Sequence, residues 1–273
     1  MTDRYAVFGY PLSHTKSPQI HTAFAAEAGE DISYEAIEAP ADGFADALHA
    51  FIGAGGRGIN VTVPFKLEAC EIATERRQRA ELAGAANCLK FEDGTILAEN
   101  FDGIGLVADI ERNLDYPIRD RRVLLVGAGG AARGAILPLL EAEPDALTIV
   151  NRTVAKAQDL KDAFAPFGAI GACGYDDLAG ETFDLVINAT SASLFGDLPP
   201  LPASVFHGDS LAYEMVYGKG LTPFLKVAQA SGVNRLVDGV GMLVEQAAEA
   251  FHWWRGVRPD TRPVIRMLTV PLA

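Results

Sequence analysis

The sequence has little of what staples, ligates or anchors a chain. Its three cysteines, Cys70, Cys88 and Cys173, are odd in number and far apart, with no CxxC pair and no Cys/His cluster of zinc spacing. No disulfide framework and no metal site is therefore expected, and the three read as reduced thiols of a cytoplasmic protein. The five histidines, His14, His21, His49, His207 and His252, are too dispersed for a metal centre or a nucleophilic triad, and read as structural or surface residues. No apolar run approaches the length of a membrane span, and the start, MTDRYAVFGYP, lacks the charged-then-apolar order of a secretory signal. Positive charge is scarce too. Lys and Arg number 23 against 36 Asp and Glu, a net charge of −13, and such a field repels nucleic acid and anionic membranes. An anionic ligand must then be met by local positive groups.

What the chain does have is length and alternation. At 273 residues with 49% hydrophobic content it can bury sizeable cores in about two domains. Short apolar runs alternate with helical patterns throughout, which predicts an α/β architecture. Strands are expected at Tyr5–Phe8, Ser33–Ile37 and Gly58–Val63, and helices at Pro18–Ala28, Phe44–Ile52 and Pro64–Ala73. A hairpin, Asn87–Phe91 with Thr95–Ala98, turns on Glu92, Asp93 and Gly94, and a helix follows over Gly103–Leu114. Further strands at Val123–Val126, Leu147–Val150 and Leu185–Ala189 alternate with helices, as a parallel sheet requires. Pro138 falls inside the helix after the first of these and is expected to kink it. The last helix, Met242–Arg255, carries Leu243, Ala247, Phe251 and Trp254 on one stripe and needs a partner surface.

The stretch VLLVGAGGAARG, Val123 to Gly134, fits a dinucleotide fingerprint: a strand, a tight turn at Gly127, Gly129 for close approach of a phosphate, and small Ala132 for helix packing. About 24 residues beyond Gly127, where a ribose-reading acid is expected, stand Asn151, Arg152 and Thr153, with Lys156 one helical turn on. An acid there would repel a 2′-phosphate. Positive charge in its place predicts NADP(H) rather than NAD. The alternative, a solvated helix start, is the commoner fate of such a pair in isolation.

Three segments of the first half carry chemical groups. In GYPLSHTKSP, Thr15, Lys16 and Ser17 precede Pro18, and free backbone N–H groups with hydroxyls offer a carboxylate site, with Ser17 as the expected helix cap. A plain cap with a solvated lysine explains the segment equally well. In INVTVPFK, Lys66 falls in a first helical turn, where the macrodipole disfavours an ammonium and favours a proton-transferring role. Taken alone, a surface lysine is the commoner outcome. In AENFDGIG, Asp102 precedes a helix at the junction of the two halves; it can serve as a simple N-cap, or hold Lys66 and share its proton.

Together with GAANCL, NRT, INATSAS, YEMVYGKGLTPFL and DGVGMLVEQAAEAF, these segments resemble the shikimate dehydrogenase family along nearly the whole chain. The resemblance implies two domains: a mainly parallel α/β substrate domain over residues 1–102 plus 241–273, to which the C-terminal helix returns, and a Rossmann-type NADP-binding domain over 103–240. It implies a catalytic Lys66/Asp102 pair. Shikimate would be met by Thr15, Ser17, Thr62, Asn87, Tyr217 and Gln246, the last of which, judged as one residue of an amphipathic helix, would be solvated. Cofactor contacts fall on Gly127, Ala128, Gly129, Gly130, Ala131, Asn151, Arg152, Thr153, Lys156, Thr190, Met215 and Gly239.

Four residues depart from the family pattern: Thr15 for serine, Phe101 for the threonine of NTDG, Lys156 for arginine, and Glu214 for aspartate. None removes a catalytic group. The implied activity is reversible NADPH-dependent reduction of 3-dehydroshikimate to shikimate, a step towards chorismate and aromatic amino acids, by a monomer or homodimer. A quinate/shikimate dehydrogenase of broader substrate or NAD use is the rival among enzymes, and a non-catalytic NADPH-binding regulator the rival of another class.

Overall fold

The computed structural model describes residues 2–218 and 220–272, without the side chains of Leu194 and Phe195; Met1 and Lys219, within MTDRYAVFGYP and YEMVYGKGLTPFL, lie outside the described residues, as does Ala273. The chain divides into two units. The first comprises Met1–Gly105 and Val244–Val264, the second Leu106–Leu243 and Ile265–Ala273. The sequence places the whole tail with the first unit. The structure instead counts the segment from Ile265 with the second, where Leu272 packs on the core built around Phe224 and Val205.

The first unit is built on β1 (Asp3–Gly9), α1 (Ser17–Ala28), β2 (Ile32–Glu38), α2 (Phe44–Gly53), β3 (Gly56–Val61), α3 (Lys66–Ile72), β4 (Glu75–Arg76), α4 (Gln78–Ala83), β5 (Cys88–Glu92) and β6 (Thr95–Glu99). Its sheet runs β2-β1-β3-β5-β6-β4. Strand β1 pairs in parallel with β2 and β3, whereas β3–β5 and β5–β6 are antiparallel. The expected hairpin forms as β5–β6 through Asp93 and Gly94, both at positive φ as a two-residue turn requires. A core around Phe8, Phe44, Phe51 and Phe65 fills one face, and Tyr5, Cys88, Phe101 and Trp254 form a second cluster.

Helix α5 (Asp102–Ala108) continues through a π-helical turn, and the second unit then gives β7 (Arg122–Val126), α6 (Gly130–Glu141), β8 (Ala146–Val150), α7 (Val154–Phe164), β9 (Ile170–Cys173), β10 (Leu185–Asn188), β11 (Leu211–Glu214), α8 (Pro223–Ala230) and β12 (Arg235–Asp238). All five ladders are parallel, in the order β12-β11-β10-β7-β8-β9. Counted from β7 this is the 3-2-1-4-5-6 order of a doubly wound nucleotide fold. Strands β7 and β10 are buried on both faces, which is why VLLV and LVIN read as unbroken apolar runs.

Helices α9 (Val240–Arg255) and α10 (Arg262–Leu268) complete the chain. Helix α9 buries far more than one stripe: Val244, Glu245, Gln246, Ala247, Ala248, Ala250 and Phe251 are all inaccessible or nearly so. Helix α6 continues through Pro138 to Glu141, close enough to its C-terminus that few ladder bonds are at stake. Among the described residues no helix is long and apolar enough to cross a membrane.

Candidate active and cofactor sites

In both sheets the chain reverses its winding direction between two neighbouring parallel strands, and such switch points are where open α/β sheets bind ligands. In the first unit the switch lies between β1 and β3. Their C-terminal ends approach so closely that a Cβ on Gly9 would sit 2.4 Å from the Thr62 methyl, so glycine is required there. The turn after β1 carries Thr15 and Ser17, and the turn after β3 carries Thr62 and Lys66.

Two local expectations are corrected. Ser17 is the first residue of α1 and not its cap; Lys16 holds the cap position without a side-chain bond, and the Thr15 and Ser17 hydroxyls bond each other at 3.3 Å. Helix α3 starts at Lys66, two residues after Pro64, because the Thr62–Phe65 segment is spent on a turn closed by Phe65 N–H to Thr62 O at 3.0 Å. Lys66 is thus the first helical residue, where its ammonium needs a carboxylate to offset the macrodipole.

Asp102 supplies it. Lys66 Nζ lies 2.5 Å from Asp102 Oδ2, and the aspartate is 5% exposed. The other oxygen, Oδ1, accepts from Asn87 Nδ2 at 2.8 Å, and the same amide donates to Gln246 Oε1 at 3.1 Å. Asn87 Oδ1 in turn accepts the Phe101 N–H at 2.8 Å. Lys66, Asp102, Asn87 and Gln246 are therefore one hydrogen-bonded cluster, and Gln246 is a buried member of it rather than a solvated residue. Sequence reasoning misses Asn100, which is fully buried, accepts the Asp102 N–H on its side chain at 3.1 Å and donates to Ala85 O at 2.9 Å. An Asn two residues ahead of a helix-starting Asp is the sequence signal for that turn.

In the second unit the switch lies between β7 and β10, and the glycine loop follows β7. Gly127 has φ +109°, closed to other residues, and a side chain there would begin 3.1 Å from the Thr190 methyl after β10. Gly129 and Gly130, at the N-terminus of α6, have nothing within 4 Å of a notional Cβ, so no other protein group crowds the space beside them; Ala128 is buried, Ala131 half-buried and Ala132 wholly buried. That open helix start fits a pyrophosphate.

After β8, Asn151 bonds Thr153 O at 2.9 Å, and Arg152 and Lys156 are exposed with no ion pair to a described carboxylate. Such free positive charge fits a 2′-phosphate. Gly239 lies so close to Met215 that a Cβ would meet its carbonyl oxygen at 2.2 Å. Tyr217 lies two residues beyond Met215, half-buried, and burial pushes its phenol up.

Family models match three stretches: the shikimate dehydrogenase substrate binding domain over residues 7–89, shikimate/quinate 5-dehydrogenase over 109–195, and the shikimate 5′-dehydrogenase C-terminal domain over 239–268. The shikimate dehydrogenase (NADP(+)) of Nitrosospira multiformis is 60% identical over 268 residues, 98% of each chain. Among solved structures, an Ael1 enzyme from Pseudomonas putida aligns over the whole of both chains at 59% identity with a TM-score of 0.95. The shikimate 5-dehydrogenase of Thermus thermophilus, in complex with NADP(H) and shikimate, aligns at 30% identity and a TM-score of 0.86, over 98% of this chain and all of that one.

Proposed function

The chain belongs to the shikimate dehydrogenase family, and on that premise we propose that it catalyses the reversible NADPH-dependent reduction of 3-dehydroshikimate to shikimate with Lys66 and Asp102 as its catalytic pair. The observation that carries the reading is the Lys66–Asp102 contact, locked by Asn87 and Asn100 at the switch point of the first sheet.

Each group has a role that follows from its bonds. When bound, the reduced nicotinamide supplies the hydride. Lys66 has three N–H donors and spends one on Asp102, so two remain for the C3 oxygen of the substrate, where they stabilise developing negative charge and deliver a proton. Asp102 accepts at both oxygens, which fixes the ammonium in place. In the oxidative direction the hydroxyl proton returns to the same pair. Thr15 and Ser17 meet the substrate carboxylate, and Thr62, Asn87, Tyr217 and Gln246 its hydroxyls. Gly127, Ala128, Gly129, Gly130 and Ala131 hold the pyrophosphate, Asn151, Arg152, Thr153 and Lys156 the 2′-phosphoribose, and Thr190, Met215 and Gly239 the nicotinamide end. Substrate domain and cofactor domain correspond in this reading to residues 1–102 plus 241–273 and to 103–240, save that the tail from Ile265 counts with the cofactor unit. Three unpaired cysteines suit a reducing compartment, and the enzyme is assigned to the cytoplasm as a monomer or homodimer.

The test is initial-rate absorbance of the reduced nicotinamide with shikimate or quinate, each with NADP or NAD. Turnover of shikimate with NADP is expected, and Lys66→Ala should lower it about 100-fold or more. Silence in all four mixtures, or near-normal turnover by the variant, overturns the proposal; equal use of quinate or NAD moves it to the broader dehydrogenase.

A further inference from the structure

Glu214, the last residue of β11, is wholly buried and has no cationic partner among the described residues. Hydrogen bonds take the place of a counter-ion. Its carboxylate accepts from Asn188 Nδ2 at 3.1 Å on both oxygens, Ser193 Oγ at 2.5 Å, Thr222 Oγ1 at 2.9 Å and Val216 N at 3.4 Å. Thr222 Oγ1 also accepts the Leu225 N–H at 3.3 Å, so its own proton is free for Glu214. Burial pushes the carboxyl up, and these bonds pull it back.

The consequence for Asn188 is an orientation with no freedom left. An acceptor-only carboxylate on one side demands the amide NH2 there. On the other side Thr190 N–H, which can only donate, demands the amide oxygen, and Asn188 Oδ1 accepts it at 3.2 Å together with Thr190 Oγ1 at 2.8 Å. The Thr190 methyl then backs Gly127, the first glycine of the phosphate loop.

We infer that Glu214 is a positioning residue for the dinucleotide: through the Asn188 side chain it sets Thr190 beside Gly127, and so shapes the floor against which the cofactor lies, without touching it. The inference rests on the NADP reading of this site. A neutral amide at position 214 cannot accept from every donor, because its own NH2 must face one of them, so Asn188 turns or withdraws and Thr190 loses its anchor.

The experiment compares wild type, Glu214→Gln, Glu214→Asp and Asn188→Ala by calorimetric titration of the apo chain with NADP+, by steady-state kinetics and by thermal unfolding. Glu214→Gln and Asn188→Ala should each weaken NADP+ binding roughly tenfold or more, the scale of a lost charge-assisted hydrogen bond. The KM for NADP+ should follow, with kcat at saturating cofactor and the KM for shikimate within about threefold, a margin well under one such bond. Glu214→Asp, which keeps the charge, should recover most of the affinity. If Glu214→Gln does not fold, Asn188→Ala carries the test, since it leaves Glu214 its other donors. NADP+ binding within about twofold of wild type in the folded variants overturns the inference while the NADP reading stands. Equal losses in both KM values and kcat overturn it too, as the mark of a general structural defect. A wild-type chain that binds no NADP+ overturns both.

Discussion

Replacing Asn87 by alanine should both loosen the first unit and slow the reaction. Asn87 is 3% exposed and serves three neighbours at once: Asp102 Oδ1, Gln246 Oε1 and the Phe101 N–H. Removing it strips a buried carboxylate of a charge-assisted bond and a buried backbone donor of its side-chain acceptor, each costing about 1–3 kcal/mol. Water entering the vacated space recovers part of this, so a net loss of about 3 kcal/mol is expected. For a unit of this size that corresponds to a fall in Tm of roughly 10 °C. Asp102 keeps Lys66, but with one oxygen freed it no longer holds the ammonium in one place, and a misplacement near 1 Å costs on the order of 100-fold in kcat. Differential scanning calorimetry and initial rates read the two effects separately. A Tm within about 2 °C of wild type, together with unchanged kcat, would refute the claim that Asn87 fixes the pair.

Arg152→Ala should raise the KM for NADP about 10- to 100-fold, as loss of a charged phosphate contact does, and leave the KM for NAD unchanged; parallel changes in both would show that the residue does not read the 2′-phosphate. His21 is fully buried between Tyr34, Phe24 and Phe251, and neither ring nitrogen has a bonded partner among the described residues. Burial pushes its pKa down to about 3, only partly offset by the neighbouring Asn60 amide. The unfolded chain, titrating near 6.5, therefore binds this proton first. The contribution is complete above pH 6.5 and is lost as pH falls towards 3, at up to about 1.4 kcal/mol per pH unit. His21→Phe should remove that component, so denaturation curves of the two proteins that stay parallel from pH 7 to 4 would sink the assignment. Gly58→Ala would place a Cβ 2.5 Å from Trp254 Nε1 and 2.8 Å from Leu89 O, displacing an indole that bonds that same carbonyl at 3.1 Å. A loss of about 2–4 kcal/mol with red-shifted tryptophan emission is expected, and an unchanged emission maximum would contradict it.

Local order is written in the amino-acid sequence. Alternating apolar runs, the Asp93–Gly94 turn and the glycine loop between β7 and α6 are each encoded in a dozen residues or fewer, because pleat, helix period and turn chemistry act over that range. The strands that escape a sequence reading, β4, β9, β11 and β12, are two to four residues long and, as ER, IGAC, LAYE and RLVD, lack the unbroken β-branched or leucine run that marks the equally short LVIN of β10, so nothing separates them from a loop until a neighbour pairs with them. The same limit governs the site. Lys66 read alone is a surface lysine, Gln246 a solvated glutamine and Glu214 a minor variant, since burial and hydrogen-bond partners are properties of residues far apart in the chain. Asn87 and Gln246 are 159 positions apart and Glu214 and Asn188 are 26. Only the fold brings such groups within 3.1 Å, and only there does desolvation make each bond worth enough to fix a side chain in one orientation.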